Sequence, residues 1–111
     1  MGGSGAANKV SQDKVIATRT LTLQGRPEEN FVIRVFKPEP DEQNYRCEFE
    51  VDGKRSYSMG VDEMQALFGA LQLIGNRLYT STYWKAGKLT WLDGRDLGFP
   101  VANGRADYLP E

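Results

Sequence analysis

The stretch Tyr45–Tyr79, YRCEFEVDGKRSYSMGVDEMQALFGALQLIGNRLY, holds an alternating strand, a tight turn and one capped amphipathic helix in direct succession. In its first part Tyr45, Cys47, Phe49 and Val51 share one face and Arg46, Glu48, Glu50 and Asp52 the other, the period of two of a half-buried strand. Asp52-Gly53 is a favoured type I′ pair, because both central residues of that turn need positive φ. The chain is therefore expected to fold back through RSYSMG as a hairpin, with Tyr57 and Met59 turned to the core. Beyond it, Met64, Leu67, Phe68, Leu71, Ile74 and Leu78 recur near helical spacing. Asp62 as N-cap with Gln65 three residues on makes a capping box, and Glu63 complements the macrodipole in the first turn. Gly69 and Gly75 inside the helix each cost about 1 kcal/mol against Ala, so their presence implies close packing on a sheet.

Upstream, VIATRTLTLQ from Val15 reads as a half-buried strand, and NFVIRVFK as a second one with Phe31, Ile33 and Val35 on one face. Val32 and Phe36 on its other face imply a central strand or a covered outer face. GRPEE at 25–29 reads as the intervening turn and PEPDEQ at 38–43 as a solvated loop. Downstream, TSTY reads as a polar link, KLTWL as a short last strand, and the rest as an irregular tail. The expected fold is α+β: an antiparallel meander of four strands, joined by a fifth after the helix, packed on one C-terminal-half helix. The expected core is Leu21, Leu23, Ile33, Val35, Cys47, Phe49, Tyr57 and Met59 against Leu67, Leu71, Ile74 and Leu78. Residues 1–14 read as a flexible extension, 15–104 as a single domain and 105–111 as a tail.

A length of 111 residues suits one domain, and 40% hydrophobic with 26% charged residues is the composition of an ordinary globular chain. Fourteen Lys and Arg stand against 15 Asp and Glu, without the cationic excess that phosphate neutralisation requires, so no nucleic-acid partner is expected. A single cysteine excludes an intramolecular disulfide. No stretch reaches the roughly 18 apolar residues of a membrane span, and no signal-peptide pattern opens the chain, so a cytoplasmic location and no membrane partner are expected. There is no histidine, which removes the commonest general base and the commonest zinc ligand, and neither GxxxxGK[ST] nor GxGxxG occurs. No enzyme activity, cofactor or metal is expected.

Four polar residues and two aromatic ones are the candidates for partner binding. Arg46, Glu48, Glu50 and Asp52 line the outer strand face, where the carboxylates form a row about 7 Å apart. Such a row serves either as a solvated sheet face or as a surface for a cationic partner. Tyr83 and Trp84 sit in a polar, Gly-flanked segment, and Trp84 reads equally as an exposed anchor or as closing the core. Trp91, between Thr90 and Leu92, reads as core, and so does Cys47 between Tyr45 and Phe49.

The runs KPEPDEQNYRCEFEVDG, ALQLIGNRLY and LTWL with DLGFPV resemble a family of small bacterial proteins of uncharacterised function, over roughly residues 15 to 102. The most specific pieces are the Tyr45 to Cys47 strand entry and the Leu97 to Pro100 tetrad. The resemblance implies one compact domain and brings no activity, cofactor or catalytic set. The leading expectation is a non-enzymatic protein-binding module, such as an accessory or immunity protein masking a partner. The alternative is a small-ligand binder or carboxylate-dependent enzyme using Glu48 and Glu50 near Arg34 or Arg46. Homodimerisation is compatible with both.

Overall fold

A computed structural model describes residues 14–26 and 31–100. Residues 1–13 of the extension expected at 1–14, most of the turn expected at 25–29, and the tail expected at 105–111 lie outside these residues. The elements are β1 Val15–Leu23, β2 Phe31–Phe36, β3 Glu39–Asp41, β4 Asn44–Val51, β5 Lys54–Gly60, α1 Glu63–Tyr79, α2 Thr82–Lys85 and β6 Leu89–Thr90. Sequential antiparallel pairing of β1, β2, β4 and β5 forms the expected meander, and β6 returns after the helices to the far edge of β1. The fold is the expected α+β sheet with one long helix on it.

PEPDEQ departs from the expected loop, because Glu39–Asp41 is a strand paired with Asn44–Arg46 through a turn at Glu42 and Gln43. β2 and β3 together make one bent run along β4. Their register slips by one residue between Val35↔Phe49 and Glu39↔Arg46, so Phe36, Lys37 and Pro38 oppose only Cys47 and Glu48. Such a bulge leaves a ladder carbonyl without its partner. The buried Cys47 thiol donates to the Phe36 carbonyl at 3.3 Å, and burial pushes its pKa up to about 11. Cys47 is thus the expected core residue, with a hydrogen bond that repairs the bulge.

The hairpin at Asp52-Gly53 forms as expected, with φ of 50° and 86°. Its register overturns one expectation. A turn of two residues pairs Val51 with Lys54, so the inward Cys47 lies opposite Ser58 and the outward Glu48 opposite Tyr57. Tyr57 and Met59 are therefore on the outer face, 47% and 42% exposed, and the inner face of β5 is Ser56, Ser58 and Gly60.

That small-residue face decides how α1 sits. A Cβ on Gly60 would strike the backbone of Gln65 and Ala66, and one on Gly69 would strike the Ser58 hydroxyl, so helix and strand approach at glycine distance. Ala66, Ala70, Ile74 and Leu78 are buried while Leu67 and Leu71 are half-buried. The helix is thereby rotated away from the expected stripe, leaving Met64 74% and Phe68 53% exposed. Asp62 caps as expected, accepting from the Gln65 amide at 2.8 Å, but the Gln65 side chain reaches back to the amide of Val61 and not to that of Asp62.

The segment after β6 closes the core beside the helix. Tyr79, wholly buried, accepts from the Leu97 amide at 2.8 Å, and burial raises its pKa. Arg19 of β1 donates to the carbonyls of Leu97 and Gly98 at 3.0 and 3.1 Å while its guanidinium lies 3.8 Å from the centre of the Trp91 ring. Gly75 of α1 has no room for a side chain because Phe99 and Pro100 press on it. Its close packing is against this segment and not against the sheet.

Candidate functional site

The carboxylate row of the outer sheet face is neutralised from within. Arg34 of β2 meets Glu50 at 3.1 Å, and Arg55 of β5 meets Glu48 at 2.8 Å. Arg46 bridges Asp41 at 3.1 Å and Glu48 at 3.8 Å, and lies over the Tyr57 ring. These cross-strand partners follow from the pairings Arg34↔Glu50, Glu50↔Arg55 and Glu48↔Tyr57, which bring opposite charges within reach on one face. Arg46 and Glu48 thus belong to one lattice with Asp41 and Arg55, Glu50 pairs separately with Arg34, and each of these charges is already matched.

Asp52 and Tyr83 stand apart from that lattice, and the fold brings them together. Both line a cleft of about 180 Å³ between the β4–β5 turn, the end of α1 and the start of α2, with Phe31, Val51, Lys54, Arg77, Leu78 and Ser81. Arg26 grips Asp52 with both guanidinium nitrogens, at 2.8 and 3.2 Å, and this carboxylate holds the arginine above its ordinary pKa. Phe31 meets Tyr83 edge to face, ring centres 6.2 Å apart, and forms the apolar wall. Lys54 and Arg77 make no ion pair among the described residues. With Asp52 matched by Arg26, these two leave the cleft cationic.

Trp84 does not join the site. It is 5% exposed, packs edge to face on Tyr79, and its indole N–H donates to the Arg95 carbonyl at 2.8 Å. The Ser81 hydroxyl caps α2 through the Trp84 amide, which turns this ring inward and the neighbouring Tyr83 outward. Lys54, Arg77 and Phe31 were missed as site residues. Arg77 carries a sequence signal, since a basic residue in the last helical turn lies beside whatever follows the helix.

A second cleft, of about 170 Å³, lies between β1, β2, Leu71 and Phe99. It is lined mainly by apolar groups, and its Arg19 is occupied by the Leu97 and Gly98 carbonyls. Among the described residues no group of His, Cys, Asp and Glu could hold a metal ion, and no helix is long and apolar enough to cross a membrane.

The fold and site define a class: a small α+β domain with an antiparallel sheet, one packed helix and a shallow cationic cleft at the hairpin end. The chain belongs to the family described as a domain of unknown function, DUF6968, whose model matches residues 17–101. No curated protein and no solved structure matches it.

Proposed function

We propose that the chain is a non-catalytic protein-binding module whose partner places a side chain in the Tyr83 cleft. The observation that carries this reading is that Lys54 and Arg77 line the same cleft as Phe31 and Tyr83. A cleft of about 180 Å³ is smaller than the roughly 300–1,000 Å³ of small-molecule sites, and it suits one or two side chains of a macromolecule. The charges call for an acidic residue beside an apolar one. Val61, Met64 and Phe68, exposed around the start of α1 and so at the opposite end of that helix from the cleft, form a separate apolar surface of the kind that partners cover. The pairing of Glu48 and Glu50 with arginines weighs against the carboxylate-enzyme reading, since a catalytic pair needs a free acid or base. An accessory or immunity role in a bacterial cytoplasm, masking a partner, belongs to the same proposal and is an analogy from size and fold alone.

The test is affinity capture from source cells with the wild type and with Arg77→Glu/Tyr83→Ala as bait. A stoichiometric protein held by the first and lost with the second is the expected result. No such protein, or equal retention by both baits, counts against the reading.

A further inference from the structure

We infer that two copies of the chain pair through β5 about a two-fold axis at Tyr57, joining their sheets into one. The Asp52 amide donates to the Val32 carbonyl, so even-numbered residues around β4 turn their backbone groups to β2 and odd-numbered ones turn theirs to β5. Lys54, Ser56, Ser58 and Gly60, opposite those odd residues, bond back to β4. Arg55, Tyr57 and Met59 therefore carry their N–H and C=O groups away from the sheet, along an edge unpaired among the described residues.

Natural sheets protect such an edge with prolines, bulges or charges; β5 has no proline and no bulge, and its charges, Lys54 and Arg55, stand only at its turn end. Its seven residues centre on Tyr57, so antiparallel self-pairing sets Arg55 against Met59 and Tyr57 against its own copy. No like charges meet, because this register sets Arg55 against Met59 and Lys54 against Gly60.

The helix layer fits the same operation. α1 lies over both β4 and β5. Joining two β5 strands at about 4.8 Å about a two-fold axis normal to the sheet then sets the two α1 helices side by side on one face of the joined sheet. The flank they would share carries Gly69, which faces Ser58, and one turn on the exposed Leu73. An extended segment of another protein would satisfy the strand edge but leave Leu73 in water, so the second copy is the better occupant.

The test is sedimentation of the full chain from micromolar to millimolar concentration, with hydrogen exchange read at Arg55, Tyr57 and Met59. The wild type is expected at twice the 12.5 kDa chain mass, with those amides protected. Tyr57→Pro removes an outward donor without touching the β4 ladder, and Leu73→Glu sets like charges across the axis; each should give a monomer. Leu73→Glu, on an exposed helix position, keeps the test open if the proline variant misfolds, and it should return the three amides to fast exchange. A wild type that stays monomeric throughout overturns the inference, as does a dimer that survives Leu73→Glu with Arg55, Tyr57 and Met59 unprotected.

Discussion

On the inner face of the β4–β5 hairpin, Cys47, Phe49 and Val51 with Ser56, Ser58 and Gly60 lie under α1. On the outer face of the same two strands, Arg46, Glu48 and Glu50 with Arg55, Tyr57 and Met59 meet solvent. The backbone is shared, so the contrast isolates what each face contributes. Inside, the helix approaches until single atoms touch, and close-packed contacts yield little to an added methyl. Outside, long side chains hold one another through ion pairs that water and salt exchange readily. The inner face therefore sets the geometry, and the outer face is free to change without unfolding the chain.

The strongest way to break that contrast is to add one carbon inside. Gly60→Ala sets a Cβ against the backbone of Gln65 and Ala66, which cannot rotate aside as a side chain would. The first turn of α1 must move, and the expected loss is on the order of 3 kcal/mol, read by urea denaturation. A loss below about 1 kcal/mol would mean that the helix rides more loosely on β5 than its position indicates.

Gly60 also shows what was legible in the sequence. The alternation of β4, the Asp52-Gly53 turn and the Asp62 cap all stood in the residues, because each depends on neighbours within a few positions. So did the side of β5 that faces inward: a turn of two residues fixes Ser58 opposite Cys47, whatever the apolar character of Tyr57 and Met59. Hydrophobicity pointed one way and register the other, and register won, since slipping by one residue would break every pairing in the hairpin. The rotation of α1 follows from it, for a helix lying on serine and glycine presents alanine and glycine in return. The Tyr83 cleft was not legible. It joins Phe31, Asp52, Arg77 and Tyr83, four positions that only the completed fold brings together. The pinning of Leu97 and Gly98 by Arg19 is of the same kind, a contact between the two ends of the domain.

A smaller effect, still on the inner face, comes from Cys47. Its thiol is shifted by burial from 9.0 to about 11, so the folded chain keeps a proton that the unfolded chain loses first. Stability from this group is complete below pH 9 and is lost as pH rises through 11, because the unfolded state binds fewer protons across that window. The wild type should lose stability more steeply than Cys47→Ala between those limits, in melts taken side by side so that the tyrosines cancel. Equal slopes would show that the thiol is reached by water and does not serve the Phe36 carbonyl.

The smallest effect belongs to the outer face. Glu50→Gln removes one charge from the Arg34 pair at 3.1 Å, and a partly exposed pair of this kind is worth about 0–1 kcal/mol. The expected change in stability is within about 0.5 kcal/mol and shrinks further in molar salt, as screening removes what the pair contributed. The same substitution should leave partner capture unchanged, since Glu50 spends its charge on Arg34, whereas Lys54 and Arg77 at the Tyr83 cleft have no carboxylate partner among the described residues. A Glu50→Gln bait that loses the partner while keeping its melting temperature would move the binding surface from the cleft to the sheet. The contrast between the faces would then stand reversed in function though not in stability, with the exchangeable ion pairs of the outer face giving way to a partner's cations.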